Sequence, residues 1–332
     1  MQVVFPDDWN GAFEAAPEIA RLRQRADVKI FRVRPDNVLD AVRDADIAVA
    51  LRERTRYDTD VLNQMPNLKL IVSVGGRENP SIDKDVAMDR GVLVCFTGGA
   101  LGDRLPAPPQ GNPSMTEMAL GMMISVMRGF GVQDRAMRAG EWPGPIGRVL
   151  YGKTLGILGL GRLGSDLARV AQYLGMRVIA AGLTLTPERA AAADVEFRSI
   201  DDLFSESDVV SIHYRSTDRS RGLVNARLLA RMKPNAVLIN TSRGPIVDER
   251  ALVEALQQHR ILGAALDVYD AEPLPADHPL RRTDNTLLLA HCGWPTDDGY
   301  SRMIPETVRV IEAFLDGSPI NVENPSAVGG RR

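Results

Sequence analysis

Cysteine is scarce in this sequence: 332 residues carry two, Cys95 and Cys292. Two distant thiols exclude a disulfide-stapled scaffold and fit a reducing compartment. A basic excess is also missing. The formal net charge is -3, and the arginines are interleaved with acids, as in Arg21-Leu22-Arg23-Gln24-Arg25-Ala26-Asp27. Nucleic-acid binding needs a concentrated basic face, so no nucleic-acid partner is expected. Long apolar runs are lacking too. The stretch Met118 to Met127 is bounded by Glu117 and Arg128, far short of the ~20 residues a membrane span needs. The start, Met1-Gln2-Val3-Val4-Phe5-Pro6-Asp7-Asp8, lacks the layout of a signal peptide, so the expected location is cytoplasmic. No His, Cys and carboxylate cluster has ligand spacing, and no metal is expected.

What remains is ordinary for a globular chain: 44% apolar and 25% charged residues, with a length that suits two domains. Short β-type runs alternate with helical stretches. Val28 to Phe31, Ile47 to Leu51, Leu68 to Val74 and Val92 to Phe96 come first. Several are apolar on consecutive residues, as in parallel strands covered on both faces. This is α/β patterning. A break follows, since Gly98 to Pro113 holds four prolines and four glycines. A single long helix is predicted from Ser114 to Ala139, with Ser114 as N-cap and Glu117 completing a capping box. A second series then begins at Lys153. Its strands are predicted at Thr154 to Leu158, Arg177 to Ala181, Val209 to His213, Ala236 to Asn240, Gly263 to Val268 and Thr286 to Ala290. The tail from Thr296 to Leu315 reads as one more helix.

The turn after Leu158 reads Gly159-Leu160-Gly161-Arg162-Leu163-Gly164, a G-x-G-x-x-G between a strand and a helix that runs to about Leu174. Gly159 permits the tight turn, Gly161 lets backbone approach a pyrophosphate, and Gly164 lets helix and strand pack closely. The helix N-terminus favours the anion. Gly159, Gly161, Arg162, Leu163 and Gly164 are therefore candidate cofactor residues. The next strand should end in an acid for the ribose hydroxyls. Here it ends Ala180-Ala181-Gly182-Leu183-Thr184, without one. Thr184, Thr186 and Arg189 stand where a 2′-phosphate could be met, or they only begin the next helix, with Thr186 as N-cap and Pro187 at its first position. The cofactor is left as NAD or NADP, with NAD favoured.

Three strand ends carry chemistry: Asn240-Thr241-Ser242-Arg243-Gly244, Leu266-Asp267-Val268-Tyr269-Asp270-Ala271-Glu272-Pro273, and Ala290-His291-Cys292-Gly293. Ligands of open parallel sheets bind at that edge. In this order, after the glycine turn, these segments resemble the D-isomer-specific 2-hydroxyacid dehydrogenase family over nearly the whole chain. The resemblance implies two Rossmann-like or flavodoxin-like domains with parallel sheets, the cofactor domain inserted into the substrate domain. The expected boundaries are 1–112 plus 293–332 for the substrate domain and 113–292 for the NAD(P) domain. It implies a small 2-keto or 2-hydroxy acid as substrate and hydride transfer to or from its C2, giving the D-isomer. His291 is implied as acid/base, a role suited to a group that titrates near neutrality. Glu272 would orient it and favour its charged form. Arg243 would polarise the keto oxygen and hold the carboxylate. Asp267 would lie near the nicotinamide ribose, with Thr241 and His213 also on the cofactor side. Arg52 and the loop Val74-Gly75-Gly76 are implied as substrate residues.

The resemblance further implies a homodimer through the Ser114 to Ala139 helix, and a short form without the regulatory domain of the longer phosphoglycerate enzymes. The sequence departs from the family at Ala290, where proline is usual, at Trp294, an aromatic that would line the pocket, and in a longer Leu101 to Gly111 loop. An NAD(H)-binding corepressor-like scaffold of the same fold is the alternative from another class.

Overall fold

The computed structural model describes residues 1–33, 35, 37–75, 77, 79–98, 113–142, 144 and 146–328. Gly76 and the Leu101 to Gly111 loop lie outside the described residues. The chain divides into two compact units, Met1–Ala107 with Pro295–Arg332, and Pro108–Trp294.

In the first unit, five strands alternate with four short helices: β1 (Gln2–Phe5), α1 (Pro17–Leu22), β2 (Asp27–Ile30), α2 (Val38–Val42), β3 (Ile47–Leu51), α3 (Thr59–Asn63), β4 (Leu70–Val74), α4 (Lys84–Asp89) and β5 (Leu93–Phe96). The strands form one parallel sheet in the order β2-β1-β3-β4-β5. Every residue of β3 and β4 is buried, whereas β2 alternates exposed and half-buried positions. Central strands covered on both faces need continuous apolar runs, and an edge strand does not. Three of the helices start at a side-chain cap. Asn37 accepts from Leu39 N at 3.1 Å, Asp58 from Val61 N at 3.1 Å, and Asp83 from Val86 N at 3.2 Å. Each cap satisfies a first-turn N–H that the helix leaves unpaired.

The second unit opens with α5 (Pro113–Arg128) and α6 (Phe130–Arg138). This corrects the single helix expected from Ser114. Gly129 between them sits at φ +64, a left-handed conformation open to glycine that interrupts the helical ladder. Ser114 lies inside the first turn of α5 rather than before it. The series continues with β6 (Thr154–Leu158), α7 (Arg162–Tyr173), β7 (Arg177–Ala181), α8 (Pro187–Ala191), β8 (Glu196–Phe197), α9 (Ile200–Glu206), β9 (Val209–Ile212), α10 (Ala226–Leu229), β10 (Val237–Asn240), α11 (Glu249–Gln257), β11 (Gly263–Leu266) and β12 (Thr286–Leu288). These strands form a seven-stranded parallel sheet in the order β12-β11-β10-β9-β6-β7-β8.

Alternation along each strand feeds two cores. Leu155 and Ile157 of β6 join Val237 and Ile239 of β10 on the face that also buries Met122, Met123 and Leu167. Leu158, Val210, Ile212 and Leu238 point the other way, toward Leu203, Phe204, Leu252 and Leu256. Burying each such side chain contributes about 1.5–3 kcal/mol. The chain returns to the first unit with α12 (Asp297–Leu315), capped by Thr296, whose hydroxyl accepts from Gly299 N at 3.0 Å. The expected α/β class with two parallel sheets is what the molecule shows. Order reverses at β1/β3 in one sheet and at β6/β9 in the other, and ligands of such sheets sit outside the strand ends at a reversal.

Candidate active site

The glycine turn in the second unit follows from close backbone packing. Gly159 adopts φ +102, and a Cβ there would stand 2.9 Å from the His213 carbonyl oxygen. A Cβ on Gly164 would meet the Gly159 oxygen at 2.7 Å. Both positions thus require glycine. Gly161 is different: a Cβ there would have nothing within 4 Å. It is the N-cap of α7, with no side chain to occupy the first-turn N–H groups. Open space over an uncapped helix start is the cradle that a pyrophosphate fills, so these residues fit a dinucleotide. Arg162 is exposed and Leu163 half-buried at the same end.

His213 and Tyr214 follow β9 beside this turn. His213 Nε2 lies 2.9 Å from Ser211 Oγ, and burial pushes the imidazole pKa down to about 4, so the ring is neutral. Tyr214 reaches to the end of β7, where its hydroxyl accepts from Leu183 N.

At the end of β10, Asn240 is buried and folds the segment behind it. Its amide donates to the Arg243 carbonyl at 3.0 Å, and its oxygen accepts from Ser242 N at 3.0 Å. Ser242 Oγ donates to the Ile212 carbonyl at 2.9 Å, tying the loop to β9. Arg243 Nη1 donates to the Ser242 carbonyl at 2.7 Å. Thr241 is buried at the same strand end. Gly244 packs so tightly that a Cβ would overlap the Tyr269 carbonyl.

The loops after β11 and β12 bring the remaining groups together. His291 Nδ1 lies 2.6 Å from Glu272 Oε2, and Glu272 Oε1 accepts from Tyr269 N at 2.9 Å. Burial alone pushes the Glu272 carboxyl up. The hydrogen bond and charge of His291, the Tyr269 N–H and the charge of Arg243 more than offset it, and the net shift is downward. The Arg243 charge acting on Glu272 places all three within one electrostatic neighbourhood. The His291 and Glu272 side chains keep 27% and 35% of their surface, enough to meet a small ligand. His291 itself sits at φ +51, a conformation that non-glycine residues hold only where their surroundings enforce it.

Those surroundings are visible. Asp267 is 1% exposed, and its carboxylate accepts from Cys292 N at 2.7 Å and Gly293 N at 3.0 Å. Burial raises its pKa, and the two N–H groups pull it partly back. The Tyr269 hydroxyl donates toward the Leu289 carbonyl at 2.7 Å and the Leu266 carbonyl at 3.1 Å. Sequence reasoning missed Asn240, Ser242 and Tyr269. The one available signal was polar residues placed where apolar strands end. Trp294 is 8% exposed. His278, given no role from the sequence, pairs with Glu249 at 3.0 Å and accepts from Leu280 N through Nδ1. Among the described residues no group of three or more His, Cys, Asp or Glu is placed to hold a metal, and no helix is long and apolar enough to cross a membrane.

In the first unit, Arg52 stands at φ +57 after β3. Its Nη1 donates to the Gly75 carbonyl at 3.1 Å, and its own carbonyl accepts from Asn79 Nδ2 at 2.8 Å. Gly75, at φ +108, donates its N–H to Thr97 Oγ1 at 2.9 Å. Val74 is buried at the end of β4. Arg52, Val74 and Gly75 are therefore neighbours, with Thr97 and Asn79 as supports that the sequence did not single out.

Comparison with known proteins identifies the family. Residues 120–293 match the model of the D-isomer specific 2-hydroxyacid dehydrogenase NAD binding domain. A glyoxylate reductase from Thermofilum pendens is 34% identical over 91% of this chain and 89% of its own length. A D-3-phosphoglycerate dehydrogenase from Methanocaldococcus jannaschii is 32% identical over 87% of this chain, which spans 54% of that longer protein. The crystal structure of an oxidoreductase from Ralstonia solanacearum superposes with a TM-score of 0.87 at 30% identity, covering 98% of both chains. The chain belongs to the D-isomer specific 2-hydroxyacid dehydrogenases, a family of nicotinamide-dependent oxidoreductases.

Proposed function

We propose that this protein reduces the C2 carbonyl of a small 2-keto acid, of the size of glyoxylate or hydroxypyruvate, to the D-2-hydroxy acid and runs the reverse oxidation. The observation that carries the reading is the 2.6 Å contact between His291 Nδ1 and Glu272 Oε2 at the carboxyl edge of the parallel sheet, within reach of the Arg243 charge. Gly159, Gly161 and Gly164 would hold NAD(H) or NADP(H), whose nicotinamide would supply or accept the hydride.

The chain's own residues handle the proton and the charge. Glu272 is ionised and only accepts, so Nδ1 carries a hydrogen and Nε2 is the atom free for the substrate. In reduction Nε2 gives its proton to the C2 oxygen as that oxygen gains charge; in oxidation it takes the proton back. The Glu272 carboxylate holds the ring in orientation through that Nδ1 hydrogen. Arg243 offers a planar fork of donors to the substrate's oxygens. Asp267 sets the loop that carries His291. In the first unit, Arg52 and the Gly75 backbone are the candidates for holding a carboxylate.

The test follows oxidation of NADH and NADPH against glyoxylate, hydroxypyruvate, pyruvate, phenylpyruvate and 2-ketoisocaproate. Turnover that is lost in His291→Ala supports the proposal. Full activity in His291→Ala sinks the mechanism, and nucleotide binding without turnover of any of these acids favours the scaffold alternative.

We also propose a homodimer through the α5–α6 side of the second unit. Phe130, Val132 and Met137 of α6 are exposed, and beyond them Trp142 and Ile146 show 82% and 99% of their surface. Exposed apolar clusters of this kind are normally covered in an assembly. A cleft of about 360 Å³ between Val126, Val132, Leu262 and Leu287 lies on the same side. Light scattering at micromolar concentration is expected to give twice the chain mass, and a monomer mass would refute the pairing.

A further inference from the structure

Glu272 rides on the long loop between β11 and β12, and loops of that kind are ordinarily mobile. Its contact with His291 at 2.6 Å requires a loop that stays in place. The Tyr269 N–H steadies the Glu272 side chain. The backbone on either side is held from outside the loop, by one carboxylate. Glu249, on the first turn of α11, accepts from Asp270 N at 3.3 Å through Oε2, just before Glu272. Its Oε1 meets His278 Nε2 at 3.0 Å, just beyond Glu272. Both side chains are half-buried.

The contacts fix the tautomer. His278 heads the short turn Pro279–Arg282, and its Nδ1 accepts from Leu280 N at 3.3 Å. A backbone N–H only donates, so Nδ1 is bare and the ring hydrogen sits on Nε2, facing the carboxylate. The ring is anchored in turn. Leu280 is fully buried, and Arg281 donates to the Leu274 and Pro275 carbonyls at 2.7 and 2.8 Å, closing the stretch after Glu272 on itself. On the other side, Asp248 caps α11 by accepting from Ala251 N at 3.0 Å, which sets the helix start that carries Glu249. Burial pushes the Glu249 carboxyl up; the Asp270 N–H and His278 pull it part of the way back, against the charge of Asp270. The groups that Glu249 clamps are thus the ones that help keep it charged. A carboxylate suits the post because it offers two acceptors and no donor.

We propose that Glu249 and His278 are positioning residues, which clamp the Glu272 loop on both flanks and so hold its carboxylate against His291. The effect on turnover rests on the dehydrogenase reading; the clamp itself is also measured without turnover. Two substitutions separate the ring nitrogens. In His278→Asn the amide oxygen stands where Nδ1 stood and keeps the Leu280 cap, but nothing reaches Glu249. In His278→Gln the amide NH₂ stands where Nε2 stood and keeps Glu249, but the cap is lost. His278→Asn is expected to lower kcat about tenfold, with keto-acid KM and nucleotide affinity within about twofold of native. His278→Gln is expected to keep kcat within about twofold of native although its Tm falls further than that of His278→Asn. Hydrogen exchange of the full chain adds a readout that needs no substrate. The peptide from Tyr269 to Glu272 is expected to exchange about tenfold faster in His278→Asn and at the native rate in His278→Gln, with β6 and β10 unchanged in both. Glu249→Gln, which turns one acceptor into a donor, is expected to match His278→Asn. A kcat that follows Tm, lower in His278→Gln than in His278→Asn, makes His278 a cap alone and overturns the proposal. So does native exchange of the Tyr269 to Glu272 peptide in His278→Asn. If the exchange pattern holds while the native chain turns over no keto acid, the dehydrogenase reading fails and the clamp stands.

Discussion

Asp267 offers the sharpest test of how the site is held. Its two oxygens accept from the N–H groups of Cys292 and Gly293 at 2.7 and 3.0 Å, in a position 1% exposed. Asp267→Asn keeps the shape but turns one oxygen into a donor. Each charge-assisted bond is worth about 1.5–3 kcal/mol, while the retained amide oxygen restores about 1 kcal/mol and the misplaced NH₂ leaves a buried N–H unpaired. The net loss is about 2–4 kcal/mol. At about 2–4 °C per kcal/mol for a domain of 150–250 residues, Tm should fall by roughly 5–15 °C. The loosened residues are the two that follow His291, whose φ of +51 must be enforced. A displacement of ~1 Å at a catalytic group costs on the order of 10²-fold in rate, so kcat should fall about that far with cofactor KM little changed. Steady-state kinetics with thermal unfolding decide it. An unchanged kcat with a raised cofactor KM would refute the argument and make Asp267 a ribose contact only.

Other perturbations follow from the same contacts. Glu272→Gln replaces the acceptor that fixes the imidazole with a neutral amide, and kcat should drop about 10²-fold with the fold intact; undiminished turnover would deny Glu272 its role. His213 has its pKa lowered to about 4 from 6.5. The unfolded chain therefore binds the proton more readily, and stability from this residue falls as pH drops from 6.5 toward 4. In His213→Gln the urea midpoint should change less between pH 7 and 5 than in the native chain, and an identical pH slope would argue against a neutral, desolvated ring. Gly161→Ala meets open space and should fold normally yet bind nucleotide more weakly. Gly164→Ala, meeting the Gly159 oxygen at 2.7 Å, should lose stability by about 1–3 kcal/mol. Equal stability in the two variants would contradict the packing described for the turn.

Much of the fold was legible because β3, β4, β6 and β10 are covered on both faces and so spell continuous apolar runs. The glycine motif was legible because its three glycines answer to backbone geometry at fixed spacing. Less regular features were not. Gly129 sits inside a helical pattern, and nothing local says whether such a glycine continues the helix or turns left-handed. β1 was not singled out, and β8 is a two-residue edge with exposed side chains. The titratable groups of the site stood out at strand ends, but their supports did not. Asp267 reaches Cys292 across 25 residues and Ser242 reaches Ile212 across 30; such pairings exist only once the sheet has set its strand order. For the same reason the absent acid at Gly182 was readable, whereas the Tyr214 hydroxyl occupying its place was not.

The lacing of the three strand-end loops has a consequence for motion. Gly244 abuts the Tyr269 carbonyl, Tyr269 grips Leu289, and Asp267 grips Cys292 and Gly293. Surface loops ordinarily open independently and exchange their amide hydrogens quickly. These loops have to open together or not at all. Their amides should then exchange as one cooperative group, with Cys292 and Gly293 protected almost as long as the strands beneath them. The sheet edge that carries His291 would thus be among the slowest-breathing parts of the second unit.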